Sequence, residues 1–379
     1  MNKTETKRRG FRGGLGIFCC QWKRVSKGRG RLVPSHGRDA HAPHDTNRKG
    51  GERGGWAGSL APGLLLLLAS VTGVMAQKPV ATAEVLPERV ETFTVKTRSD
   101  LNKEIPFYLR VPKNYRPGKS YRLLFLCPHL NQQGLSKLAD SARWLALADE
   151  RDWFVVTCTF KQAKDAAQDR KLSYYYPEAF SGKAALEALE LVSKKYPVDT
   201  ERLLMQGLSG GAQFVHRFAM WAPERVTAVA VNSSSWFDEP NVRCNQVAWL
   251  VTIGESDESY DASLEVVDRL RNVGAAPLFR SYLGMVHEGS AAVDELNMEF
   301  LKFHDDFTKK DLGKRRSYQT PAAERLALQG EKMPFVGDGQ DWKYFPNGAD
   351  ARESVAEDSR IYLPSETIAK LWGQKEEEP

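Results

Sequence analysis

The string Gly207-Leu208-Ser209-Gly210-Gly211 sets a serine between glycines two positions before and two positions after it. It follows a β-rich run, residues 202–206, and opens an amphipathic stretch from Gly210 to Trp221, so the serine falls at a strand-to-helix junction. A sharp turn at such a junction needs small flanking residues. It lifts the hydroxyl above the strand end and places it at the positive end of a helix dipole. That is the setting of a nucleophile, although a glycine-rich turn without chemistry would read the same way. A serine hydroxyl attacks poorly near neutral pH unless a base takes its proton, so the partners decide the matter.

Beyond residue 76 the histidines are His129, His216, His287 and His304. His216 falls two turns into the helix that begins at Ser209, and His304 lies well inside the last helical stretch; both suit packing or surface positions. His129 directly follows the third β-rich run, where a loop can supply backbone donors. His287 remains as the general base, in a loop after the last strand with Gly284 and Gly289 beside it. A carboxylate is then needed to orient the imidazole. Asp257 ends the string Gly254-Glu255-Ser256-Asp257 that closes the run Ala248 to Ile253. Asp238, Glu255 and Glu258 compete with it, and Asp257 could instead cap the helix that follows.

The backbone N–H of Gly210 and one from Pro128-His129-Leu130-Asn131-Gln132, best Leu130, could stabilise a tetrahedral oxyanion. Such donors contribute about 3 to 4 kcal/mol each in a transition state. Trp236 and the run Tyr174-Tyr175-Tyr176 are candidates to meet substrate rings, with His129 nearby, or simply to plug the edge of the domain.

These residues need a sheet to hold them. Short β-rich runs at 90–95, 105–111, 122–127, 153–158, 202–206, 226–231, 247–253 and 278–282 alternate with amphipathic stretches at 136–149, 181–195, 210–221, 262–273 and 291–307. The first two runs predict an antiparallel hairpin. The rest predict a doubly wound, mostly parallel sheet of eight strands with flanking helices. After Lys309 the chain turns polar and is punctuated by Pro and Gly, which predicts a mostly irregular extension, 309–379, that docks its aromatics and forms a short helix near 365–372.

Charge divides the chain at residue 76. Residues 1–76 hold 14 of the 54 Lys and Arg but four of the 48 acids, which leaves 40 bases and 44 acids in the body. A mildly acidic body argues against nucleic acid as partner. The run Leu60 to Val74, followed by Met75-Ala76, reads as a signal peptide over 56–76 with cleavage before Gln77, preceded by a basic, structureless segment 1–55 or a misassigned start. The run is too short and too interrupted by Gly and Pro for a stable membrane span. The catalytic domain is thus expected over 77–308, secreted or periplasmic, with Cys127, Cys158 and Cys244 as buried thiols rather than a disulfide framework.

Ser209, Asp257 and His287, in that chain order, together with the Pro128-His129-Leu130 loop, resemble the esterase branch of the α/β-hydrolases that includes feruloyl esterases and polyhydroxybutyrate depolymerases. The resemblance covers about residues 90–308. That branch usually carries His-Gly where this chain has His129-Leu130. The resemblance implies hydrolysis of carboxylic esters, often attached to a polysaccharide or within a polyester, without a cofactor or metal. A peptidase of the prolyl-oligopeptidase type shares fold and triad but brings a large extra domain. A non-catalytic polymer-binding protein on the same fold is the alternative from another class.

Overall fold

The structure is a computed structural model that describes residues 89–310 and 333–374. The basic segment 1–55, the apolar run 60–74 and the expected cleavage before Gln77 lie outside the described residues. The described residues form one compact unit.

Eight strands make the main sheet: β1 (Val90–Lys96), β2 (Glu104–Arg110), β3 (Leu123–Cys127), β4 (Phe154–Cys158), β5 (Leu203–Leu208), β6 (Val226–Asn232), β7 (Ala248–Gly254) and β8 (Leu278–Tyr282). Their order is β1-β2-β4-β3-β5-β6-β7-β8. β1 pairs antiparallel with β2, and β2 with β4; from β4 to β8 every pairing is parallel. The central strands are mostly apolar, β3 (Leu123–Cys127) wholly so, because both faces are covered.

Successive residues feed opposite layers. Met205, Val229 and Trp249 point into one core with helices α3 (Gly182–Lys195) and α4 (Gly210–Trp221). Leu204, Ala230 and Leu250 point into the other, with α2 (Ala142–Arg151) and α6 (Ala291–Lys310). A fifth helix, α5 (Tyr260–Asn272), packs beside β7. This is the doubly wound, mostly parallel sheet that the pattern of runs predicts, in the α/β-hydrolase arrangement that the resemblance implies.

The single helix expected over 136–149 is two: α1 (Gly134–Ala139) and α2. The break falls at Asp140-Ser141. Gln132 Nε2 donates to Asp140 Oδ2 at 3.1 Å, and Ser141 N–H closes a tight turn on the Leu138 carbonyl at 3.1 Å. Asp and Ser readily trade helical geometry for such local bonds.

The extension is more regular than its composition suggests. β9 (Phe335–Asp338) lies between β10 (Lys343–Pro346) and β11 (Arg360–Leu363) in an antiparallel sheet, with α7 (Ala349–Ser354) and α8 (Glu366–Trp372). It docks through aromatics, as expected. Trp372 is fully buried, and its indole N–H donates to the Phe279 carbonyl of β8 at 2.7 Å. Its ring fills the space over Gly337, where a Cβ would come within 2.5 Å of it. The Arg280 guanidinium lies 4.2 Å from the Trp342 ring centre. Truncating a buried Trp costs about 3 to 5 kcal/mol, so the extension is an integral part of the unit.

The three cysteines described are free and buried. Burial pushes the Cys244 thiol up to about 11 and raises that of Cys158. Both stay protonated and weakly nucleophilic near neutral pH.

Candidate active site

Ser209 stands at the end of β5 with φ 54° and ψ −118°, a backbone strained for any residue with a side chain. The turn closes so tightly that a Cβ on Gly207 would lie 2.3 Å from the carbonyl carbon of Gly211, and one on Gly211 would lie 2.5 Å from the Cys127 carbonyl oxygen. Both glycines are therefore sterically required. The Ser209 amide donates to the Asn232 carbonyl at 3.0 Å, which ties the turn to β6.

The loops after β7 and β8 bring the partners. A Cβ on Gly254 would fall 2.0 Å from the Met285 carbonyl oxygen, so only glycine lets the two loops meet; Ser256 N–H then donates to that carbonyl at 3.0 Å. His287 Nδ1 lies 2.9 Å from Asp257 Oδ2, and its Nε2 lies 2.8 Å from Ser209 Oγ. An ionised carboxylate can only accept, so Nδ1 carries the hydrogen and Nε2 is left to accept from the serine hydroxyl. The Asp257 side chain has no exposed surface and takes the Ser259 N–H on Oδ1 at 2.9 Å.

The rivals to Asp257 are engaged elsewhere or face solvent. Asp238 pairs with Arg217 at 2.9 Å, Glu255 accepts from Ser281 Oγ at 3.0 Å, and Glu258 is exposed. His216 is fully buried with Nδ1 2.8 Å from the Ala212 carbonyl, and His304 stacks edge-on against Phe300. His129 is exposed and its amide faces Gln132 Oε1 at 3.3 Å.

Gly210 and Leu130 do converge. A Cβ on Gly210 would lie 2.9 Å from the Leu130 amide nitrogen. Asn131, with φ 57°, holds the loop through Oδ1, which accepts from Gln162 N–H at 3.0 Å. The same Gly210 position would meet the Tyr174 hydroxyl at 2.6 Å. Burial raises the Tyr174 phenol, which stays neutral. Its closeness to Gly210 has no local signal in the sequence, because the two residues lie 36 positions apart.

The candidate platform divides. Trp236 is 43% exposed, and its carbonyl is fixed by Ser234 Oγ at 3.2 Å. Tyr176 is buried, with the Arg217 and Arg170 guanidiniums 4.5 and 4.9 Å from its ring centre. Its ring is committed to these cations, which corrects the expectation that it stacks on substrate. Among the described residues, no group of three or more His, Cys, Asp or Glu side chains could hold a metal.

Burial depresses the His216 imidazole well below its usual 6.5, so the folded protein holds it neutral. The unfolded chain takes up that proton first, and the resulting stability, full above pH 6.5, drains away as pH falls toward the folded value. His216→Phe should remove up to about 1.4 kcal/mol per pH unit from that acid slope, read by urea unfolding between pH 7.5 and 5. An unaltered slope would place the titration elsewhere.

No family model and no curated protein matches the chain. Solved structures similar to it include a ferulic acid esterase, 19% identical, covering 58% of this chain and 95% of its own, with a TM-score of 0.42. Another is FphF, a fluorophosphonate-binding serine hydrolase of Staphylococcus aureus, 13% identical over 57% and 96% of the two chains, TM-score 0.42. A third, described as a dipeptidyl aminopeptidase IV from Bacteroides ovatus, is 16% identical, covers 58% of this chain and 35% of its own, and has a TM-score of 0.43. The chain's own strand order, crossovers and strand-to-helix serine turn are those of an α/β-hydrolase.

Proposed function

We propose that this protein is a serine hydrolase that cleaves carboxylic esters through an acyl-enzyme. The observation that carries the reading is the unbroken line from Asp257 through His287 to Ser209, at 2.9 and 2.8 Å, on a strained turn. Ser209 Oγ attacks the ester carbonyl as His287 Nε2 takes its proton. The Gly210 and Leu130 amides hold the oxyanion, and His287 returns the proton to the departing alcohol. Water then repeats the sequence on the acyl-enzyme. Asp257 stabilises the imidazolium in both halves.

A fluorophosphonate probe should label the protein stoichiometrically, with the adduct on the peptide that contains Ser209. An unlabelled, folded protein would favour a non-catalytic binding role. Aryl esters should turn over far faster than the matching anilides; the reverse preference would support a peptidase. The leader reading adds export: mature protein from the native host should begin at Gln77 by mass spectrometry, and a mature start upstream of Leu60 would refute it.

A further inference from the structure

We propose that the β1–β2 hairpin end carries a second binding site, for an acidic polysaccharide, beside the oxyanion loop. β2 runs antiparallel to β4, with Phe107 opposite Cys158, so the hairpin turn 97–103 emerges at the sheet end where β4 finishes. In the parallel part of the sheet Cys127 is level with Gly207, which puts Ser209 at that same end.

A groove of about 880 Å³ opens there, lined by the hairpin and by Lys161. Lys96, Arg98, Lys103 and Lys161 surround it, all exposed, and none forms an ion pair among the described residues. The two acids in the lining are Asp100 and Glu104, the latter opposite Lys96 across the ladder. The groove is thus net positive on a body that is net negative.

The hairpin end is built rather than loose. Asn102, 1% exposed, donates from Nδ2 to the Lys161 carbonyl at 2.9 Å and accepts the Lys161 N–H on Oδ1 at 2.8 Å. Thr97 Oγ1 donates to the Asn102 carbonyl at 2.5 Å, and Asn102 N–H donates to Ser99 Oγ at 3.2 Å. The next residue, Gln162, gives its N–H to Asn131, the neighbour of Leu130. The hairpin end is thereby tied through Lys161 and Gln162 to the loop that carries the Leu130 amide.

Spaced cations with the exposed Thr94 hydroxyl among them fit a sugar chain bearing carboxylates. No aromatic ring lines the groove, so nucleobases would find nothing to stack on. Leu101 is its one exposed large apolar side chain, too little to enter a bilayer. The site's part in turnover rests on the ester-hydrolase reading; its binding does not.

Binding is measured on Ser209→Ala protein with polygalacturonate and with neutral galactan of matched length, by calorimetry at 50 mM and 500 mM salt. Polygalacturonate should bind, weaken about tenfold or more at the higher salt, and outbind galactan by a similar factor. Combining Arg98→Gln, Lys103→Gln and Lys161→Gln should weaken it about tenfold, since exposed charges contribute modestly one by one. On the Ser209-intact background, the same triple change should lower kcat/KM for acetylated polygalacturonate about tenfold relative to that for a small neutral aryl ester, and this ratio discounts any general damage. Equal binding of the two polymers, salt-independent binding, an unchanged triple variant or an unchanged ratio would overturn the proposal. So would a single-stranded RNA or phosphatidylserine vesicles binding as tightly as polygalacturonate. Because binding is read without the nucleophile, loss of the ester-hydrolase reading would show separately, as absent turnover of both esters by the wild type.

Discussion

Ser209→Ala is expected to lower turnover of an aryl ester by about 10⁴-fold or more, with kcat and kcat/KM falling together, because the change removes the attacking atom. The residual rate should still exceed that in water, since the Gly210 and Leu130 amides remain to stabilise the oxyanion. Alanine keeps the Cβ that the turn already accommodates at φ 54°, and among the described residues the lost hydroxyl bonds only to His287. Folding should be retained, as read by circular dichroism and the urea midpoint. A folded variant with wild-type turnover would mean that another residue attacks the ester.

Asp257→Asn should cost about 10³ to 10⁴ in turnover. The mechanism is the imidazole tautomer. An asparagine amide facing His287 Nδ1 can donate to it, which leaves the hydrogen on Nε2, where it cannot accept the serine proton. Asp238→Asn is the control: it weakens the pair with buried Arg217 and should lower stability while leaving turnover within a fewfold. A triad acts as a unit, so Asp257→Asn added to His287→Ala should lose little beyond His287→Ala alone, whereas independent residues would multiply their losses. The single and double variants, assayed on one aryl ester, decide the point. A large loss in Asp238→Asn with a small one in Asp257→Asn would move the acid to the loop after β6.

Much of this arrangement is legible from local pattern. The strand runs place β1 to β8 within two residues of their observed ends, because buried parallel strands are short, apolar and bounded by polar turns. Ser209 is legible because the turn demands glycine at 207 and 211. Asp257 and His287 are legible by their place after β7 and β8, although only the structure shows that Gly254 lets the two loops touch.

What escapes local reading depends on distant partners. The break between α1 and α2 coincides with a side-chain bond from Gln132, in the preceding loop, to Asp140. Tyr176 looks like a free aromatic until Arg217, 41 positions on, is found against its ring. The small sheet β10-β9-β11 has strands of four residues each, too brief for alternation to rise above chance, and it is anchored on β8 by buried Trp372 and half-buried Trp342. A composition rich in polar residues hides such a module; its few aromatics are what define it.

The contact of Trp372 with β8 also sets a time. On a ribosome, Phe279 is added 93 residues before the indole that covers its carbonyl. At typical synthesis rates of 5 to 20 residues per second, the last strand of the sheet waits roughly 5 to 20 s with its outer edge open. An uncovered edge strand is a template for pairing with a second chain. A nascent chain is therefore most exposed to misassembly late, after its catalytic core is complete, and stop codons between β8 and Trp372 should yield aggregated protein even though every triad residue is present.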